Sequence, residues 1–150
     1  AAHVVDFGCG MGLYVQEMLD AGLEAQGFDG NPATPELTQG VCKVLDLSTP
    51  FELDQKFDWV LSLEVGEHIP VEYETIFIEN LVRHAEKGIV LSWALKDQTG
   101  LGHVNCRNNP YIKRKICSYG FLNDIQAEEE LRKKAKLYWF KGTIMVFRRR

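Results

Sequence analysis

Nowhere in this 150-residue chain do apolar residues run for the roughly 20 positions that a bilayer-spanning helix needs. No basic segment precedes a signal-like apolar stretch either, so neither membrane insertion nor secretion is expected. Cysteine is sparse: Cys9, Cys42, Cys106 and Cys117 form no C-x-x-C pair, and His3, His68, His84 and His103 are scattered. His103 and Cys106 stand three apart without a second pair, so no metal site is expected. Isolated thiols suit a reducing compartment, and the expected location is cytoplasmic. Basic charge is also short. Seventeen Lys and Arg against 21 Asp and Glu leave a formal net charge of −4, which argues against general nucleic-acid binding, whose affinity comes from neutralised phosphates. The basic runs at 113–115, 132–134 and 148–150 read as solvated faces or tail. Repeats, linkers and low-complexity blocks are missing, and 45% hydrophobic residues suffice for one core. A single domain over 1–150 is expected, with a helix belonging to the full protein expected ahead of the first strand signal.

What the chain does contain is an unusual turn. His3-Val-Val-Asp-Phe-Gly-Cys-Gly-Met-Gly-Leu-Tyr14 reads as a buried strand bending into a helix through three alternate glycines. Gly8, Gly10 and Gly12 allow positive φ and close approach of a ligand to bare backbone, and the helix N-terminus adds unpaired N–H donors. A dinucleotide loop would read G-x-G-x-x-G, but position 13 is leucine and an acid, Asp6, precedes the glycines. An acid there suits an amino group better than a pyrophosphate.

The run V-D-F-G-C-G-M-G resembles the first signature of the class I S-adenosylmethionine-dependent methyltransferases, and the likeness extends over about the first two thirds of the chain. It implies a Rossmann-like fold, S-adenosylmethionine as methyl donor and S-adenosylhomocysteine as product. The element signals agree with an α/β architecture. Strands are predicted at 4–7, 23–28, 41–45, 57–63 and 88–93, and helices at 12–21, 71–84, 110–119 and 128–136. Tyr73, Ile76, Phe77, Leu81 and Val82 form the expected apolar stripe of the second helix. The segments 30–40 and 48–56 carry prolines and little periodicity, so the helices after strands two and three should be reduced. An antiparallel C-terminal strand at 143–147 is expected to pair with 136–140 through Lys141 and Gly142. The polar stretch 94–109 reads as a substrate loop or lid.

Ligands of open α/β sheets bind outside the carboxyl ends of strands, and the candidate residues fall there. Asp29 ends strand two, 21 positions after Gly8, and is expected at the ribose hydroxyls, flanked by Gly30 and Asn31. A turn-forming Asp is the alternative. The resemblance places Asp46 at the adenine amino group with the backbone of Leu47 against the ring, an N-cap or turn Asp being the alternative. It sets Asp6, Gly8, Cys9 and Gly10 around the methionine amino group and Tyr14 along its carboxylate. Ser62-Leu-Glu-Val-Gly-Glu-His68 resembles the family's fourth signature, which puts Glu64 and Val65 at the methionine end. His68 and His103 are the candidate bases, since imidazole titrates near neutrality; a structural role at a loop–helix junction is the alternative for His68. His103-Val-Asn resembles a segment of members acting on small or sugar-like substrates. Asn108-Asn-Pro-Tyr111 sits after the fifth strand, not the fourth, and Pro110 is explained as a helix starter, which excludes an adenine-methylating motif. Trp93, Trp139 and Phe140 are either pocket lining or core.

The expected activity is methyl transfer to oxygen or nitrogen of a small-molecule or sugar-like acceptor, with a protein acceptor as a further option. A non-catalytic S-adenosylmethionine-binding module and a nicotinamide-dependent oxidoreductase are the rivals. The chain carries no signal for oligomeric state.

Overall fold

A computed structural model describes residues 1–150. In chain order its regular elements are β1 (His3–Phe7), α1 (Leu13–Asp20), β2 (Glu24–Asp29), α2 (Thr34–Leu37), β3 (Lys43–Val44), β4 (Phe57–Ser62), α3 (Glu74–His84), β5 (Ala85–Leu91), α4 (Asn109–Cys117), β6 (Phe121–Asn123), α5 (Ile125–Lys134) and β7 (Met145–Arg149). The strands form one sheet in the order β3-β2-β1-β4-β5-β7-β6. β1 to β5 pair in parallel, and β7 runs antiparallel to both β5 and β6. This is the mostly parallel α/β arrangement that the alternation of strand and helix signals predicts, and the Rossmann-like one that the resemblance implies.

Burial explains the composition of the strands. Val5 and Phe7 of β1, Val60 of β4 and Ile89 and Leu91 of β5 are all sealed from solvent, as parallel strands covered on both faces require. They join Phe57, Phe77, Trp93, Phe121 and Phe147 in one core. The reduced crossovers are as expected. α2 is a single turn, 45–56 contains no helix, and both residues of β3 are exposed, so this sheet edge is thinly covered. The helix-free segment is held instead by polar side chains of α3. Asn80 donates to the carbonyls of Leu47 and Thr49 and accepts from Phe51 N–H, while His84 Nε2 accepts from Leu53 N–H. Both residues are buried, and burial lowers the His84 pKa, which keeps Nε2 available as an acceptor.

Three expectations are corrected. Residues 138–142 form a 3-10 helix, so no hairpin runs through Lys141 and Gly142. β7 instead inserts between β5 and β6, aligning Ile89 with Phe147 and Asn123 with Phe147 across its two edges. That position satisfies the open edge of β5 and buries Met145, Val146 and Phe147, which a two-stranded ribbon at the surface would not. The helix stripe also shifts: Phe77, Ile78 and Leu81 are fully buried, whereas Tyr73 is exposed in a 3-10 turn before α3. α5 starts three residues early because the Asp124 carboxylate caps it, accepting from Ala127 N–H.

Candidate active site

Strand order reverses between β1 and β4, with β2 and β3 on one side and β5 on the other. A crevice opens at the carboxyl ends of strands at such a point, and here it is a cavity of about 470 Å³. Gly8, Gly10, Asp29, Gly30, Asp46, Leu47, Glu64, Val65 and His68 line it, joined by Ser48, Ile69 and Pro70. Sequence reasoning missed those last three, which lie in irregular turns without periodicity.

The glycine turn is built around β2. The N–H groups of Gly8 and Cys9 both bond to the Phe28 carbonyl, at 2.7 and 3.1 Å. Gly8 has φ +95°, and a Cβ there would stand 2.2 Å from Val65 Cγ2. The glycine is thus required both by conformation and by the close approach of the β4 loop. Asp29 ties the neighbouring turns together: Oδ2 accepts from Gly10 N–H and Oδ1 from Asn31 N–H, each at 2.9 Å. Asp46 folds back on its own turn, accepting from the N–H and hydroxyl of Ser48, and these two bonds hold its pKa below the usual carboxylate value.

Asp6 lies beneath the turn, 1% exposed, with Oδ2 buried and without a partner. Burial, reinforced by the negative charge of Asp29, raises its pKa to about 7. A buried, unpartnered carboxylate oxygen is destabilising on its own, and a cationic ligand group is the natural complement.

Five sequence candidates lie off the cavity wall, His103 of the 94–108 stretch among them. Asp6 is below it, and Cys9 is buried against Val15 and Cys42. The Asn31 side chain is turned to its own turn, Oδ1 accepting from Ala33 N–H. Tyr14 lines a separate cavity of about 620 Å³ together with Leu137 and Phe140.

On the β4 side the wall is more tightly constrained. Glu64 adopts φ +59°, a conformation uncommon outside glycine. Its N–H donates to Ser92 Oγ at 2.8 Å, while Ser62 Oγ donates to the Phe7 carbonyl at 2.7 Å. These serines fasten the end of β4 to its neighbouring strands. Burial, together with the adjacent Glu67 carboxylate, holds the Glu64 pKa well above the ordinary range. Glu67 is itself fully buried, with Oε2 accepting from Ala94 N–H at 3.1 Å and Oε1 unpartnered.

The 94–108 stretch has no regular structure before α4 but is firmly anchored. Val104 and Asn105 N–H donate to the Glu67 carbonyl, and Arg107 N–H to the Ala94 carbonyl. Glu74 of α3, 3% exposed, accepts from Asn105 Nδ2, Arg107 Nε and Tyr111 Oη at 3.0, 2.9 and 2.5 Å. Burial alone would raise its pKa, but these hydrogen bonds and the Arg107 charge lower it. His103 is thereby placed beside His68, ring centroids 5.0 Å apart. Trp93 is core: fully buried, with its indole N–H donating to the Asn105 carbonyl.

No family model matches the chain. Solved structures match over its whole length. Magnesium protoporphyrin IX methyltransferase from Synechocystis PCC 6803, with S-adenosylhomocysteine bound, is 21% identical over 100% of this chain and 75% of its own, with a TM-score of 0.74. An amino pentose methyltransferase from Micromonospora echinaspora, with S-adenosylmethionine bound, is 15% identical over 100% and 84%, with a TM-score of 0.72. The 4+2 cyclase SpnF is 14% identical over 99% and 74%, with a TM-score of 0.70. The chain therefore has the Rossmann-like fold of the S-adenosylmethionine-dependent methyltransferases, as its first signature implies.

Proposed function

We propose that the chain is an S-adenosylmethionine-dependent methyltransferase that acts on oxygen or nitrogen of a small-molecule or sugar-like acceptor in a reducing, cytoplasmic setting. The observation that carries this reading is the unpartnered Asp6 oxygen buried under the Gly8 turn, below a cavity whose own carboxylates face no basic side chain. Asp29, Asp46 and Glu64 line the cavity, and no lysine or arginine does. Such a wall repels the pyrophosphate of a nicotinamide dinucleotide and favours a ligand carrying an ammonium and a sulfonium.

In this reading Asp6 takes the amino group and the Gly8 turn accommodates the amino-acid moiety. Asp29 has lone pairs left for ribose hydroxyls, and the Asp46–Leu47 turn borders the adenine. Cys9, Tyr14, Gly30 and Asn31 stand around this frame. Bound S-adenosylmethionine supplies a methyl group that is already electrophilic, so the protein's main task is alignment. His68 lies on the wall with His103 behind it, and either imidazole can accept the proton of a hydroxyl acceptor.

Thermal unfolding with ligands tests this. S-adenosylhomocysteine at 100 times its Kd should add about 2.7 kcal/mol of stability, and NAD should add none. Stabilisation by NAD alone would overturn the assignment. A second reading, cofactor binding without methyl transfer, gains support from the cyclase that shares the fold. It predicts that S-adenosylhomocysteine binds but does not accumulate from S-adenosylmethionine with any acceptor offered.

A further inference from the structure

We propose that Glu67, His68 and His103, with Glu64 beside them, hold one divalent transition-metal ion at the acceptor end of the cavity, and that this ion binds an acceptor oxygen. One ligand atom from each of Glu67, His68 and His103 lies within 4.8 Å of the others. Tetrahedral ligands at zinc distances stand roughly 3.4 Å apart, so modest side-chain rotation closes the site.

The surroundings of each group fit a cation. Glu67 is sealed from solvent and its Oε1 has no partner. Both histidines point Nδ1 at a backbone carbonyl, His68 at Gly102 (2.9 Å) and His103 at Gln98 (3.1 Å). A carbonyl only accepts, so Nδ1 of each ring is the donor, and the neutral imidazole of that tautomer offers its lone pair at Nε2. Imidazole ligands of metals are oriented in this way, by an outer hydrogen bond that sets the tautomer. The lid leaves space for the rings: a Cβ on Gly100 would stand 2.6 Å from His103 Nε2, and one on Gly102 would stand 3.0 Å from His68 Nδ1.

A general base requires one imidazole. It does not require a second imidazole at 5.0 Å or two adjoining carboxylates, and neither Glu64 nor Glu67 is ion-paired to lysine or arginine. Two imidazoles and one carboxylate, with the Glu64 carboxylate adjacent, suit zinc, cobalt, manganese or iron better than calcium. Three protein ligands with an open position can take an acceptor hydroxyl and acidify it, its proton leaving to solvent. The site thus favours oxygen acceptors over amines. The metal site stands independently of the methyl-transfer reading; the role toward the acceptor rests on that reading.

Co²⁺ titration of the full chain, followed by its visible d–d absorption and competed with Zn²⁺, tests the site. The expected result is one ion per chain, weakened at least about 100-fold by Glu67→Gln and by His103→Ala, since even outer-sphere changes cost 10- to 100-fold. His3→Ala, far from the cluster, should leave Co²⁺ binding unchanged. His103 lies in the irregular lid, so its variant keeps the test alive if Glu67→Gln fails to fold. Absence of stoichiometric Co²⁺ binding, or binding unaltered in the folded variants, overturns the site. Calorimetry with S-adenosylhomocysteine separates the two readings: Co²⁺ binding without it would sink methyl transfer alone, and the reverse would sink the metal site alone. The Co²⁺ spectrum of the chain loaded with S-adenosylhomocysteine should shift on adding a member of a panel of sugars and hydroxy acids. A spectrum indifferent to the whole panel overturns the acceptor role.

Discussion

The two walls of the cavity are made differently. On the β1–β3 side, carboxylates are held by near neighbours in the chain: Asp46 bonds Ser48, and Asp29 bonds Asn31 as well as Gly10 on the adjoining turn. On the β4 and lid side the acids are buried, and their partners come from far along the chain, Ala94 for Glu67 and Asn105, Arg107 and Tyr111 for Glu74. One wall is mainly turn chemistry, complete once β1 and β2 lie side by side. The other exists only when α3, β4, β5 and the lid have come together. The first wall should therefore survive damage to the second as a cofactor site.

Glu74→Gln probes this separation with the largest expected effect. It leaves Arg107 without its carboxylate in a largely buried network, and unfolding in denaturant should show a loss of about 3–5 kcal/mol. The sign of the pH effect is fixed by the lowered pKa of Glu74. Its stabilisation is full above the unfolded value of 4.5 and is lost as pH falls below it. Calorimetry of the still-folded variant should return nearly the wild-type affinity for S-adenosylhomocysteine. A matching collapse of that affinity would show that the walls are one unit.

Asp6→Asn should act in the opposite direction on stability. With a folded pKa near 7 against an ordinary 3.8, the burial penalty is absent below the lower value and grows as pH rises to about 7. At pH 8 the variant should be more stable by up to about 4 kcal/mol, from roughly three pKa units. The same change should abolish the partner of the ligand amino group. Wild-type affinity for S-adenosylhomocysteine should also weaken as pH drops below 7, because Asp6 must ionise to bind. Unchanged affinity in the variant would remove Asp6 from the site.

Asp29→Ala should have the smallest effect on the fold, since the Gly10 and Asn31 N–H groups that it serves are exposed. Affinity for S-adenosylhomocysteine should fall about 10- to 100-fold, as expected for losing hydrogen bonds to a charged group. An unaltered Kd by calorimetry would leave Asp29 a turn residue only.

The difference between the walls also explains what could be read from the chain. The V-D-F-G-C-G-M-G run, Asp29 and Asp46 were legible because a strand, its terminal acid and its glycine turn are adjacent in sequence, and local φ and hydrogen-bonding demands select those residue types. The reduced crossovers were legible from Pro32, Pro35 and Pro50 for the same reason. The insertion of β7 between β5 and β6 was not, because pairing of distant edges leaves no local signature and the nearer hairpin looked equally good. Glu67 and His68 are neighbours at the opening of the loop after strand four, but His103 is 35 positions from His68; only the packing of α3 against β5 and the anchoring of the lid by Glu74 put them together. By itself, then, the sequence determined the sheet's beginning, the glycine turn and the acids at successive strand ends, all short-range consequences of backbone geometry. The tertiary structure alone decided the strand order beyond β5 and the approach of His103 to Glu67 and His68 beside the cavity, because both depend on contacts between segments that the chain keeps apart.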